Sequence, residues 1–267
     1  MNFWRKVHVN WPMALEMARG LKIWVTRPTA DAEPFATRLR ELGHEPICVP
    51  LFERLALATE ADIEAMSGFE PDALLVTSRN ALRSLAEAAT LGDLLNVPVL
   101  AVGPGTSDLA RECGFRDVRT GAGRAEDLAQ LVTELGVGRR RLVFVCGEQI
   151  TEDLGAQFRA AGHTVHVLVA YRMVGLSGLP DDLMQLARND GIDAVTLFSP
   201  NAARHYVHVT QLANLSAQFQ TCRHYCLSSR VAEELLVLQR VPIGVARKPN
   251  IQEMLELIGG PTAQSVH

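Results

Sequence analysis

A repeat with a period of about 120 residues constrains the fold of this chain more than any other sequence feature. The segments that match, in the same order in both halves, are residues 39–44 with 158–163 and residues 72–83 with 193–204. Two looser matches keep that order and are residues 102–104 with 227–229 and residues 125–132 with 250–258. Self-similarity at a fixed spacing indicates that one structural unit occurs twice. The sequence therefore predicts two similar lobes.

From Leu21 onward, short apolar segments alternate with amphipathic ones. The predicted strands are residues 23–25, 73–76, 99–102 and 142–146, and the helical patterns between them include residues 32–42, 80–89 and 106–113. Such alternation is typical of parallel sheets flanked by helices, so we expect an α/β fold. Helices should end at Gly43, Gly114 and Gly162, because glycine adopts the left-handed conformation at little cost.

Two extended segments interrupt this alternation and predict how the lobes are connected. Residues 46–51 and 165–170 each follow a Gly–His pair, and neither is followed at once by a helix. Such segments can cross between lobes, so we expect a two-stranded linker. The predicted organisation is a flexible N-terminal extension over residues 1–20, a discontinuous lobe of residues 21–53 plus 172–267, and a continuous lobe of residues 54–171. The extension lacks the apolar run of a signal peptide.

The composition excludes several classes of protein. The 267 residues include 26 Lys and Arg against 30 Asp and Glu, a formal charge of −4, whereas nucleic-acid-binding proteins normally show a basic excess. The chain is 48% apolar, yet it contains no apolar run long enough to cross a membrane. Its five cysteines are scattered and odd in number, which argues against a disulfide framework and favours a reducing cytoplasm.

Motifs for nucleotide, hydrolase and zinc sites do not occur in their usual form. The sequence has no G-x-x-x-x-G-K-[ST] loop and no G-x-S-x-G elbow, and residues 103–106 (GPGT) lack the third glycine of a dinucleotide-binding loop. The side chains weighed as metal ligands are His205, His208, Cys222, His224 and Cys226. Because their spacing matches no standard zinc pattern, we interpret them as surface histidines with a buried thiol and expect no metal site.

Polar residues follow the predicted strands, at the ends where α/β proteins bind ligands. These segments are residues 26–28, 77–80, 103–106, 199–201, 228–230 and 247–250. Their hydroxyl and amide side chains predict helix N-caps first, and the capped helices present N–H groups that suit anions. If all six ends face one cleft, its donors and few cations suit an anion with several carboxylates.

Tyr171 stands at the end of the second extended segment, where a linker would meet that cleft. A phenol there can donate a proton or a hydrogen bond without carrying charge. The same residue can equally be an aromatic side chain packed between lobes. The residues alone leave both interpretations open.

In the order and spacing of its short motifs, the chain resembles the uroporphyrinogen-III synthase family over about residues 21–258. The motifs are residues 25–28 (VTRP), 42–44 (LGH), 76–81 (VTSRNA), 101–106 (AVGPGT), 169–172 (VAYR), 198–202 (FSPNA) and 248–249 (KP). The resemblance implies two α/β lobes joined by a two-stranded linker, and a cyclising lyase that converts hydroxymethylbilane to uroporphyrinogen III in heme biosynthesis. The family reaction loses the terminal hydroxyl and inverts the last pyrrole ring through a spiro intermediate.

The resemblance also assigns roles to residues. The catalytic residues that it implies are Tyr171, as a proton donor to the departing hydroxyl, and Thr106. The residues expected to bind the substrate are Arg27, Ser78, Asn80, Gly103, Ser199, Asn201, Ser228 and Lys248. We expect no cofactor and no metal. The expected protein is a cytoplasmic monomer whose partner is a linear tetrapyrrole with multiple carboxylates, without nucleic acid or membrane.

One departure from the family pattern keeps an alternative open. Residues 228–231 (SSRV) stand where many members carry Gly-Pro-Thr-Thr, which favours a catalytically inactive two-lobed sensor that binds a tetrapyrrole or another anion. A transferase acting on a phosphorylated or sugar-nucleotide substrate would need a phosphate loop or a metal-binding carboxylate pair, and neither is evident. Intact Tyr171 and Thr106 favour the enzyme.

Overall fold

The computed structural model describes residues 20–124, 126–149, 153–238 and 241–259. The extension predicted over residues 1–20 lies outside the described residues, except for Gly20. The chain divides into two compact units. The first unit contains the described residues up to Glu53 and from Gly175 onward, and the second contains Arg54–Val174. The sequence predicts the second boundary after Tyr171, whereas the division in the structure falls after Val174.

The described residues form eleven strands and eleven α-helices. The strands are β1 (Lys22–Val25), β2 (Glu45–Cys48), β3 (Phe52–Ala56), β4 (Ala73–Val76), β5 (Val99–Ala101), β6 (Val118–Thr120), β7 (Arg141–Gly147), β8 (Thr164–Gly175), β9 (Ala194–Leu197), β10 (Arg223–Cys226) and β11 (Ile243–Val245). The helices are α1 (Thr29–Glu41), α2 (Glu60–Phe69), α3 (Arg79–Ala88), α4 (Pro104–Glu112), α5 (Asp127–Glu134), α6 (Leu154–Ala160), α7 (Asp181–Arg188), α8 (Pro200–Leu212), α9 (Ser216–Gln220), α10 (Ser229–Glu233) and α11 (Ile251–Gly259). No helix in the described part of the chain is long and apolar enough to cross a membrane.

Each unit is built around one sheet of mainly parallel strands. In the first unit the strand order is β11-β10-β9-β1-β2, and every neighbouring pair is parallel. In the second unit the order is β3-β8-β7-β4-β5-β6, and the pairs from β8 to β6 are parallel. The chain passes from one unit to the other within β3 and β8. The predicted α/β fold with parallel sheets and a two-stranded linker is confirmed.

Apolar side chains cover both faces of each sheet. In β1, Trp24 packs on one face against Tyr206 and Phe219, with ring centroids 5.5 and 5.7 Å away. Its neighbours Ile23 and Val25 pack on the opposite face. The residues of β4 alternate in the same way between two clusters in the second unit. Because both faces are buried, these strands are continuous apolar runs in the sequence.

Glycines in the left-handed conformation end three helices, as the sequence predicts. Gly43, Gly114 and Gly162 have φ angles of 83°, 93° and 93°. The start of α4 differs from the prediction, because the helix begins at Pro104 rather than at Thr106. A proline ring fixes φ near the helical value and lacks an N–H that the first turn would leave unpaired, so it favours this earlier start.

The sequence repeat has a counterpart in matching hydrogen bonds. His44 Nδ1 accepts the backbone N–H of the residue before β1, and His163 Nδ1 accepts that of the residue before β7, both at 3.2 Å. The carboxylates of Asp193 and Asp72 accept the N–H groups of the first residues of β1 and β7, at 2.7 and 2.6 Å. The repeated Gly–His and Asp–Ala motifs therefore fix where these strands begin.

Matched strands also occupy the same places in the two sheets. Strands β1 and β2 match β7 and β8, while β9, β10 and β11 match β4, β5 and β6, and the order within each sheet is the same. Each sheet therefore takes two of these strands from one half of the sequence and three from the other. The repeat is shared between the units instead of forming one unit per half.

Candidate functional site

The predicted site residues divide between the two units and lie where the parallel strands end. Those of the second unit are Ser78 and Asn80 after β4, Gly103 and Thr106 after β5, and Tyr171 in β8. Those of the first unit are Arg27 after β1, Ser199 and Asn201 after β9, Ser228 after β10, and Lys248 after β11. Because parallel strands end along one edge of a sheet, each group shares an edge. That one ligand contacts both edges stays a prediction.

A hydrogen bond joins Tyr171 to Ser78 in the second unit. The half-buried phenol donates to Ser78 Oγ at 3.1 Å, although 93 residues separate the two in sequence. Ser78 is the N-cap of α3, and its Oγ also accepts the backbone N–H of Asn80 at 3.1 Å. The cap hydroxyl therefore holds the phenol at the N-terminus of α3.

Asn80, in the first turn of α3, is held by two weak contacts. Its Nδ2 lies 3.7 Å from the Met173 sulfur, and its Oδ1 lies 3.4 Å from Arg83 Nη1. The first is weak because a thioether sulfur is a poor acceptor, and the second is longer than a good hydrogen bond between nitrogen and oxygen. The amide can therefore exchange them for a carboxylate at small cost. The contact with Met173 has no signature in the sequence, because it depends on how β8 pairs.

Gly103 and Thr106 form the start of α4. Gly103 is the N-cap, and its carbonyl accepts the N–H groups of Thr106 and Ser107 at 3.2 and 3.1 Å. Thr106 is only 7% exposed. Its side chain is therefore largely enclosed within the unit, and its predicted catalytic role stays a prediction.

The edge of the first unit repeats the serine caps. Ser199 is the N-cap of α8, and its Oγ accepts the N–H of Ala202 at 3.1 Å. Ser228 occupies the N-cap position of the short helix α10, although its side chain makes no cap hydrogen bond there. Asn201 and Lys248 are exposed, so their side chains are accessible at this edge. This unit therefore presents hydroxyl, amide and ammonium groups together.

Arg27 is the most enclosed cation of that edge, with a side chain 12% exposed. Its guanidinium carbon lies 4.5 Å from the centre of the Phe198 ring, and Nη2 lies 3.5 Å from the Asp31 carboxylate. The aromatic face and the carboxylate both stabilise the guanidinium charge. The spacing of Arg27 and Asp31 across the start of α1 is a sequence signal for this pair, whereas the contact with Phe198 is not.

Two cavities among the described residues lie away from both edges. The first, of about 300 Å³, is near the amino ends of β1, β9 and β10, with Asp193 and Arg223 in its wall. The second, of about 610 Å³, lies between the start of α2 and the end of α3. Neither is lined by a predicted site residue.

One of the histidines weighed as a metal ligand is buried, so its interpretation as a surface residue is wrong. His224 is fully buried because β10 lies inside the sheet, and its Nε2 is 2.8 Å from the Tyr206 hydroxyl. Burial lowers the pKa of His224 to about 4 and raises the pKa of Cys222 and of Cys226 to about 12. Among the described residues, no group of three or more His, Cys, Asp or Glu side chains is placed to hold a metal ion.

Comparison with known proteins agrees with the resemblance in the motifs. The family described as "Uroporphyrinogen-III synthase HemD" matches residues 33–256. The uroporphyrinogen-III synthase of Schizosaccharomyces pombe is 24% identical over 184 residues, which cover 64% of this chain and 72% of that protein.

Two solved structures share the fold. The uroporphyrinogen-III synthetase of Helicobacter pylori superposes with a TM-score of 0.59 at 18% identity, covering 89% of this chain and 97% of the other. A mutant uroporphyrinogen III synthase of Thermus thermophilus gives 0.52 at 19% identity, covering 89% and 96%. The family match spans most of the chain, and the chain therefore belongs to the uroporphyrinogen-III synthase family of cyclising lyases in tetrapyrrole biosynthesis.

Proposed function

We propose that this protein cyclises hydroxymethylbilane to uroporphyrinogen III, and that Tyr171 is the proton donor of the reaction. The observation that carries the assignment of Tyr171 is its hydrogen bond to Ser78, 3.1 Å long, at the carboxyl edge of the second sheet. The phenol is half-buried there, so it is both held in place and accessible to a ligand.

The proposed step balances in atoms and protons. The phenol of Tyr171 protonates the terminal hydroxyl of the bilane, the C–O bond breaks, and water leaves. The substituted carbon of the last ring then attacks the methylene carbon that remains, which forms the spiro intermediate. The bond from that substituted carbon to its original bridging methylene breaks, and the unsubstituted α-carbon of the last ring bonds to the released methylene instead, so the ring is inverted. The last ring finally loses one proton, which equals the proton that Tyr171 donated, so the phenol is restored. The net change is the loss of one water.

The strand-end residues are proposed to bind the carboxylates of the substrate. In the second unit, the start of α3 offers Ser78 and Asn80, and the start of α4 offers backbone N–H groups behind Gly103. Helix N-termini favour anions because their N–H groups lack partners within the helix. Binding several carboxylates at such ends holds the flexible chain in one curled geometry, which favours ring closure in one direction.

The first unit is proposed to supply the cationic part of carboxylate binding. Its residues for this role are Arg27, Ser199, Asn201, Ser228 and Lys248. Lys248 is exposed, whereas Arg27 is held against Phe198. We assign Thr106 as a second catalytic residue at the start of α4, where its side chain is nearly enclosed.

A cytoplasmic monomer is the proposed state of the protein. All five cysteines of the chain are free thiols in the structure, which suits a reducing compartment. Sedimentation at two concentrations tests the monomer, since a self-associating chain would sediment faster at the higher one.

The test of the function is to supply freshly generated hydroxymethylbilane and to resolve the type I and type III products. The expected result is type III product from the wild-type protein, with type I alone in its absence. Formation of type I product alone in the presence of the protein would contradict the proposed activity and favour the inactive sensor.

A further inference from the structure

The pairing of β7 with β8 contains an irregularity next to Tyr171. The register is regular from Arg141 and Thr164 to Cys146 and Val169, but Gly147 then pairs with Tyr171. Ala170 is the extra residue of β8 at this point. An extra residue of this kind bends a strand and changes the direction of the side chain that follows it.

The extra residue changes the face on which Tyr171 lies. Along β8, Val165 and Val167 pack on one face of the sheet, whereas Leu168 and Ala170 pack on the other. Strict alternation would place Tyr171 with the two valines. It packs instead in the cluster of Leu168 and Ala170, which is the face that α3 covers with Ala81, Leu82 and Leu85. The irregularity therefore brings the phenol to the helix that Ser78 caps.

Gly147 provides the space that the ring then occupies. A Cβ atom added to this glycine would lie 2.7 Å from Tyr171 Cζ and 2.9 Å from Tyr171 Oη. These distances are shorter than a carbon makes with non-bonded neighbours. The end of β7 is thus covered by the phenol itself.

The backbone of Gly147 does not require glycine. Its φ angle is not among the positive ones, so alanine can adopt the same conformation. The atoms that obstruct a Cβ belong to the end of one side chain. An alanine should therefore displace the phenol ring and leave the strand in place.

We infer that Gly147 is a positioning residue that admits the Tyr171 phenol to the end of β7 and so keeps its hydroxyl on Ser78. The effect of Gly147 on the rate rests on the proposed role of Tyr171. Its effect on the position of the Tyr171 ring is independent of that role. Gly147 touches no reacting atom and acts only through the tyrosine.

The experiment is to prepare G147A with 13Cζ-labelled tyrosine and to measure both the NMR spectrum and the kinetics. The Tyr171 resonance, assigned by its loss in Tyr171→Phe, should move, while those of Tyr206 and Tyr225 stay. The kcat for type III product should fall by about 10- to 100-fold, with little change in KM. Gly68→Ala is the matched control, because an added Cβ there meets no atom within 4 Å.

A double variant separates positioning from general damage. In the Tyr171→Phe background, where the hydroxyl is already lost, G147A should lower the rate no further. A further fall by the same factor would overturn the inference, as would an unmoved Tyr171 resonance in G147A. A moved resonance with an unchanged rate would support the positioning but overturn the proposed role of Tyr171.

A third variant covers the case in which G147A is unstable. Added to G147A, Tyr171→Ala removes the ring that obstructs the new methyl group. The double variant should therefore regain the stability that G147A loses. Failure of Tyr171→Ala to restore the fold would show that the obstruction lies elsewhere and would overturn the inference.

Discussion

The two carboxyl edges of the sheets share a scaffold and differ in chemistry. Ser78 and Ser199 match in the repeat, both cap a helix, and both accept a backbone N–H at 3.1 Å. In the second unit the phenol of Tyr171 donates a hydrogen bond to Ser78. In the first unit Arg27 lies over the ring of Phe198, the residue before Ser199. The repeat thus reproduces the helix caps, whereas Tyr171 and Arg27, which lie outside the matched motifs, give each edge its own chemistry.

This difference suggests a division of labour. A neutral phenol bound to a hydroxyl suits proton transfer, and a guanidinium beside exposed polar groups suits the binding of carboxylates. Variants of Tyr171 and of its acceptor Ser78 should therefore act mainly on kcat, and a variant of Arg27 mainly on KM.

The largest effect should come from Tyr171→Phe, which removes the phenol and keeps the ring. We expect the rate of type III formation to fall by about 100-fold or more, because a positioned proton donor is lost. Unfolding in urea should change by only about 1 kcal/mol, the net contribution of one hydrogen bond. The measurement is the rate of each isomer by chromatography.

Tyr225→Phe is the matched control, since it removes a hydroxyl from a tyrosine of β10 in the first unit. It should keep the type III rate. Equal losses in both variants would show that the second edge has no special part in the chemistry.

Low pH should destabilise the first unit, because that unit contains the buried His224. Burial lowers its pKa to about 4 from the usual 6.5, so the unfolded chain binds this proton more readily than the folded one. Above pH 6.5 the histidine is neutral in both states, and the free energy of unfolding has its full value. As the pH falls from 6.5 to 4, the free energy of unfolding should decrease by about 3 kcal/mol in all.

Urea titrations at several pH values in this window measure that loss. His224→Gln retains an amide that can bond to Tyr206 but does not titrate, so its stability should depend less steeply on pH. If the free energy of unfolding depends on pH equally in both proteins, His224 is not the source of the acid sensitivity.

A smaller effect is expected for Arg27→Ala. Loss of one charged hydrogen-bond donor should raise KM by about tenfold and leave kcat within about twofold. Steady-state kinetics with the bilane measures both. Arg38→Ala removes an exposed charge from α1, away from the edge, and should change neither value. A fall in kcat with constant KM would contradict the division of labour.

The smallest effects should come from the matched pair of caps. Ser78→Ala and Ser199→Ala should each cost about 1 kcal/mol in the free energy of unfolding, because each removes one helix cap. Only Ser78→Ala should also lower kcat, by about fivefold, since the phenol loses its acceptor. Parallel urea titrations and kinetics of the two variants test this. Equal effects on kcat would make the two edges equivalent.

Much of the fold can be predicted from the sequence because it depends on local patterns. The apolar runs that form β1, β4 and β7 indicate strands buried on both faces of a sheet. The glycines after α1, α4 and α6 indicate where those helices end. The serine caps were also predictable, since a hydroxyl before a helix has one common use. The repeat further indicated two similar lobes.

The candidate site was only partly predictable. Tyr171 and Ser78 could be named from their motifs, but no pattern shows that one donates to the other. Burial of His224 was missed because its neighbours in the sequence give no apolar run, and only the place of β10 between β11 and β9 encloses it. The ring of Phe198 under Arg27 was missed for a similar reason.

The sequence by itself determined the α/β class, the repeat, the helix ends and the family, because these follow from periodicity, turn chemistry and short motifs. The tertiary structure alone decided which face Tyr171 occupies, since one extra residue in β8 reverses the alternation that the sequence implies. It also decided that Gly147 would lie beneath that ring. Such contacts depend on strand register, and register is set by the pairing of segments distant in sequence.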